Sequence, residues 1–135
     1  MIAKIKYDDP RLKELLDYER TREFMLDHAG FVRLARTGDL WGFIENGELL
    51  AATLLTKQIK TYTSVATVTR KDKRAQKIAK ELLSEVFKNY SNKPIIAFVH
   101  EKNLAVRKLA LSVGSVEGAI KDGIVELFRP VPVSK

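Results

Sequence analysis

The chain has 135 residues, 45% hydrophobic and 30% charged, a balance that suits one globular domain with a real core and is too short for two. It holds no cysteine and only two histidines, His28 and His100, which excludes disulfides, thiolate nucleophiles and Cys-ligated zinc and argues against a His-rich metal site. Lys plus Arg number 24 against 17 Asp plus Glu, a formal charge of +7, and such an excess favours a polyanion, either nucleic acid or a phosphate-rich cofactor.

Residues 2–7 alternate enough for a short strand. The opening segment lacks the apolar centre of a signal peptide, and no apolar run approaches the roughly 20 residues that span a bilayer, so a cytoplasmic protein without membrane contact is expected. Asp9 and Pro10 form a helix start, an N-cap acceptor followed by a proline in the first helical position. The helix is predicted to run to about residue 26, with Leu12, Leu15, Leu16, Phe24 and Met25 as its apolar members, and a second over 30–36. Asn46-Gly47 joins Trp41–Ile44 to Leu49–Leu55 as a tight hairpin, and Thr61–Thr69 reads as the next antiparallel strand. From Ala75 to Tyr90 the apolar period becomes helical. The run Pro94–Val99 has the composition of a parallel strand buried on both faces. Asn103 caps a further helix, Gly114 ends it, and Asp122-Gly123 turns a last hairpin between 115–121 and 124–129. One domain over 1–130 and a loose tail over 131–135 are expected.

Arg70, Lys71, Lys73, Arg74, Lys77 and Lys80 crowd the start of the helix at 75, with Asp72 the one acid among them. That end already carries partial positive charge, so each cation there costs about 0.3–1 kcal/mol. A bound polyanion, coenzyme A or a nucleic-acid backbone, would offset the cost. His100 ends the apolar strand and can act as a general base on an amine. Trp41 and Phe43 are expected in the core, Glu45 exposed, and His28 in the connection between the first two helices.

The order β-α-α-β-β-β-α-β-α-β-β resembles the GNAT acetyltransferase family over essentially the whole chain. Two segments carry the likeness locally. Val68–Ala79 (VTRKDKRAQKIA) resembles the family's pyrophosphate-binding segment Arg/Gln-x-x-Gly-x-Gly/Ala, with Arg74 and Ala79 matching and Lys77 in place of the middle glycine. Asn103–Gly114 (NLAVRKLALSVG) resembles its Asn-x-x-Ala-x-x-x-Tyr-x-x-x-Gly-Phe helix, with Ala110 at the tyrosine that serves as general acid and Ser115 at the phenylalanine. Some GNAT-like tailed-phage proteins show similar erosion.

The resemblance implies an α/β (α+β) fold: a mostly antiparallel sheet of six to seven strands with helices on both faces. It implies N-acyl transfer from acetyl-CoA, or another acyl-CoA, to an amine. Backbone groups of Thr67 and Val68 would meet the pantetheine arm. Arg74, Ala75, Gln76, Lys77, Ile78 and Ala79 would hold the pyrophosphate, and Asn103 the thiol end. Tyr62 and Ser112 are the hydroxyls that can replace the absent acid. Two alternatives stay open on the same scaffold: a nucleic-acid-associated or DNA-modifying protein using the basic cluster at 70–80, and a catalytically inactive binding or structural module. The acceptor cannot be read from residues 10–38. The last hairpin can pair with a second chain, though nothing requires it.

Overall fold

The computed structural model describes residues 1–18, 28–70 and 75–132. Its strands are β1 (Ile2–Lys4), β2 (Asp39–Glu45), β3 (Glu48–Lys57), β4 (Tyr62–Thr69), β5 (Ile95–His100), β6 (Val116–Lys121) and β7 (Ile124–Arg129). They form one sheet in the order β1-β2-β3-β4-β5-β7-β6, antiparallel throughout except where β4 meets β5. The helices are α1 (Pro10–Tyr18), α2 (His28–Ala35), α3 (Ala75–Phe87) and α4 (Leu104–Ser112).

Local chemistry sets most boundaries. Asp9 accepts the Arg11 N–H at 2.9 Å and its carboxylate pairs with the Arg11 guanidinium at 2.8 Å, which starts α1 where the Asp-Pro step predicts. Asn46 and Gly47 have φ of 52° and 76°, and Asp122 and Gly123 have 53° and 77°. Consecutive positive φ values are what a tight I′ turn requires. β1 is shorter than the alternation over 2–7 suggests. Ile5 still donates to the Leu40 carbonyl at 2.9 Å, but the chain then leaves the ladder to reach the Asp9 cap. Phe24 and Met25, and the end of the first helix predicted near 26, lie outside the described residues. His28 is the first residue of α2.

Two cores sandwich the sheet. α1 and α2 bring Leu12, Leu15, Phe31 and Ala35 onto Leu40, Leu49, Ala52, Leu54 and Val68. On the other face α3 buries Ile78, Leu82, Leu83, Val86 and Phe87 against Leu50, Ala51, Leu55, Tyr62 and Ile95. Trp41 and Phe43 pack at the margin of this second core. The helical period ends at Phe87, and a 3-10 turn over Lys88–Tyr90 carries Tyr90 into the core.

β5 departs from expectation. Only Ile95 is fully buried, and Phe98 is 49% exposed. The apolar run is not enclosed on both faces, because its partner β4 leaves it after two residue pairs, Tyr62 with Ile95 and Thr63 with Ile96. From there on β5 is paired only with β7. Among the described residues no helix is long and apolar enough to cross a membrane.

Candidate functional site

The parting of β4 and β5 opens a cleft through the middle of the sheet. Beyond Thr63 and Ile96 the two strands present facing edges with no ladder between them. β4 also carries an extra residue there: Leu54 pairs with Ala66 but Leu55 pairs with Ser64, so Val65 has no partner in β3. Such a bulge re-aims the local backbone, and Ser64, Val65, Ala66 and Thr67 all line the cleft. The opposite wall is Ala97, Phe98 and Val99 of β5, and the floor is Leu83 and Phe87 of α3 with Val106, Leu109 and Ala110 of α4 and its C-cap Val113. The space is about 540 Å³ including its open mouth.

A second hollow of about 440 Å³, also open, adjoins it through Thr67, Val106 and Leu109. This one lies at the first turn of α3 and is lined by Thr69, Ala75, Gln76, Ala79 and Ala105. A helix start offers unpaired backbone N–H groups and partial positive charge, an anion site in waiting. The two hollows form one groove from the α3 N-terminus to the gap between the strands.

α4 walls the groove and is held at both ends. None of its residues is fully buried, although most are apolar, because its inner face fronts the groove. Asn103 caps it by accepting the Val106 N–H at 3.3 Å. Arg107 binds the Glu117 carboxylate through Nε at 2.6 Å and Nη2 at 2.9 Å, and the Glu101 carbonyl through Nη1 at 2.7 Å. These bonds hold the Glu117 carboxyl below the usual carboxylate range.

Of the residues predicted to hold the coenzyme, the structure brings Thr67, Ala75, Gln76 and Ala79 together along the groove. Thr67 is oriented by a hydroxyl contact of 2.8 Å with Thr53. Arg74 lies outside the described residues, as do Lys71, Asp72 and Lys73. The remaining side chains go elsewhere. Val68 is 2% exposed in the core under α1 and α2, so only its backbone is near the groove. Ile78 is in the α3 core, as helical periodicity demands of a residue flanked at i+4 by Leu82. Lys77 points away, into a shallow surface hollow with Lys80, Glu81 and Glu85. Asn103 spends its carbonyl oxygen on the α4 cap and lines neither hollow.

Of the basic cluster, the described members Arg70, Lys77 and Lys80 line neither hollow. Arg70 pairs with Glu48 at 3.2 Å and Glu14 at 3.3 Å, so its charge is met by the protein's own carboxylates. His100 lines neither hollow; it is exposed at the end of β5, where its Nδ1 accepts the Lys102 N–H at 3.2 Å. The substitute acids are also committed: Tyr62 donates to Asn92 at 2.6 Å and Ser112 to the Leu109 carbonyl at 2.6 Å. Ala110, which the sequence resemblance aligns with the family tyrosine, does line the cleft, and so does Ser115. Among the described residues, the groove is lined by hydroxyls, one amide and apolar groups, with no titratable side chain. Sequence reasoning anticipated the helix after Asn103 beside the site but missed the bulge at Val65.

No family model and no curated protein matches the sequence. Solved structures do match. The Escherichia coli ribosomal-protein-S18-alanine N-acetyltransferase superposes with a TM-score of 0.82 at 17% identity, over 100% of this chain and 96% of its own. A GNAT family acetyltransferase from Elizabethkingia anophelis with acetyl-CoA bound gives 0.75 at 16% identity, over 96% and 97%. The PaiA N-acetyltransferase of Thermoplasma acidophilum in complex with coenzyme A gives 0.76 at 12% identity, over 96% and 98%. The chain therefore has the GNAT acetyltransferase fold.

Proposed function

We propose that the groove binds an acyl-CoA and that the protein transfers its acyl group to an amine. The observation that carries this is the continuity of the groove from the first turn of α3 to the gap between β4 and β5. The residues fit the coenzyme. Two facing strand edges without a ladder between them suit a flexible chain bearing amides, which can take the place of a strand. The α3 N-terminus suits a pyrophosphate. The bound complexes of two proteins of this fold support the choice of ligand.

An acyl-CoA supplies an activated thioester carbonyl, which an amine can attack directly with departure of the thiolate. The chain's own part is to hold and to dehydrate. Thr67 and the Val65 bulge shape the β4 edge, Ala75, Gln76 and Ala79 flank the phosphate end, and Leu83, Phe87, Leu109 and Val113 exclude water from below. Positioning alone can supply about 7–11 kcal/mol of a barrier. A missing general acid costs about 10²–10⁴-fold, so transfer on this scaffold is slow compared with a site that has one.

The lack of a titratable side chain among the described groove residues favours one second reading, a coenzyme-binding module without turnover. Calorimetry with acetyl-CoA tests the shared premise, with micromolar binding expected. Release of free thiol in the presence of a mixed amine panel then separates the two. A protein that binds neither acetyl-CoA nor coenzyme A would end both.

A further inference from the structure

The gap between β4 and β5 has a second side. α3 and α4 cover one face of β5 and β7, where Val125 and Leu127 are 0% and 1% exposed. Strand alternation turns Ile96, Phe98, His100, Ile124, Glu126 and Phe128 to the opposite face, with Lys121 of β6 beside Ile124. On that face the core beneath α1 and α2 contains residues of β2, β3 and β4 and none of β5, β6 or β7. Phe98 is left 49% exposed in consequence, directly at the edge of the gap.

Glu126 is the cross-strand partner of Phe98. Its carboxylate makes no hydrogen bond or ion pair among the described residues. Gly118 lies beside it, and a Cβ there would stand 3.8 Å from the Glu126 Cβ, so the absence of a side chain leaves Glu126 uncovered. Glu117, the other acid of these three strands, is turned to the α4 face by Arg107. Glu126 is thus the one carboxylate that the described residues of β5, β6 and β7 present here, in a chain of net charge +7.

We infer that this face receives the acyl acceptor, and that the acceptor is a monoamine carried on an apolar, ring-bearing group. The inference rests on the acyl transfer proposed above. A coenzyme in the groove occupies the α3 and α4 side, so an amine reaches the thioester through the gap from the other side. Glu126 attracts the ammonium, and Phe98 and Phe128 pack the ring. The nitrogen gives one proton to solvent before attack. The N–C bond then forms, the C–S bond breaks, the nitrogen loses its second proton to water and the thiolate leaves into solvent. Polycationic acceptors are disfavoured, since one carboxylate in a basic protein cannot balance several ammonium groups.

The test compares 2-phenylethylamine with ethanolamine, equal in charge and unequal in apolar area, titrated into the protein saturated with coenzyme A. 2-Phenylethylamine is expected to bind at least about tenfold more tightly. Glu126→Gln should weaken it by about tenfold, and Glu126→Asp should keep part of that. Phe128→Ala, outside both hollows of the groove, should weaken the preference for the ring while acetyl-CoA affinity stays as in the parent. Equal binding of the two amines, binding of neither, or indifference to Glu126→Gln, with acetyl-CoA binding intact, overturns the inference alone. Loss of acetyl-CoA binding in the parent protein overturns the transfer reading and the inference together.

Discussion

Arg107 on α4 grips Glu117 on β6 at both carboxylate oxygens, at 2.6 and 2.9 Å. α4 has no fully buried residue, and Leu109, with Val113 just past its end, packs only partly buried against the α3 core. The Arg107 hydrogen bonds hold the Glu117 carboxyl below its ordinary 4.5. A depressed folded-state value means the pair contributes fully above the unfolded value, and the contribution disappears as pH falls through the folded one. Acid titration of unfolding is therefore expected to show a steeper loss below pH about 4.5 in the parent than in Glu117→Gln. Identical acid limbs would show that the pair does not support the fold.

Tyr90 joins two elements that are far apart in sequence. Its hydroxyl accepts from Trp41 Nε1 at 2.8 Å and donates to Asp39 at 2.7 Å. Burial pushes the phenol well above its usual 10. A raised folded-state value gives stability that is complete below the unfolded value and is lost as pH rises past it. Tyr90→Phe should cost about 1–3 kcal/mol at neutral pH, because the indole N–H loses its buried acceptor. Denaturant melts at pH 7 and 11 measure both effects, and the variant should be less sensitive than the parent to the alkaline step.

Gln76 allows binding and folding to be pulled apart. It lies in the first turn of α3 and lines the outer hollow. A carboxylate in that turn suits the helix dipole and stabilises by about 0.3–1 kcal/mol. The same charge would repel a pyrophosphate. Gln76→Glu is expected to raise or preserve the unfolding midpoint while lowering coenzyme A affinity by about tenfold. Unchanged affinity would move the phosphate site away from α3.

The features that were legible in the sequence are those set by neighbours along the chain. Asp9-Pro10, Asn46-Gly47, Asn103 and Asp122-Gly123 each act within three or four residues, and each behaves as its chemistry dictates. The apolar stripe of α3 follows from its period. What failed depends on distant partners. Arg70 looks like part of a cationic cluster until Glu14 and Glu48, 56 and 22 residues away, are folded onto it. Lys77 sits in the right segment but on the wrong side of the helix. The β5 run has one composition whether it fronts a neighbouring strand or an open gap, so its burial was overestimated. The bulge at Val65 is a register event between two strands and leaves no local mark.

Ala110 tests how much of the chemistry has been lost. It lines the cleft on α4, one turn below Val106, and the sequence resemblance gives it the place of the tyrosine that protonates the departing thiolate. The two hydroxyls that the sequence offered as substitutes are engaged: Ser112 is bonded to the Leu109 carbonyl and Tyr62 to Asn92. An introduced phenol can project into the cleft rather than into packed core, since α4 has no fully buried residue. If the groove still positions a thioester, Ala110→Tyr should raise thiol release by about tenfold to 10²-fold, within the range of general acid catalysis. The increase should fade above pH about 10, where a phenol with an ordinary value ionises. A variant that binds acetyl-CoA like the parent but gains no rate would place the limiting defect in amine positioning instead of in the missing acid.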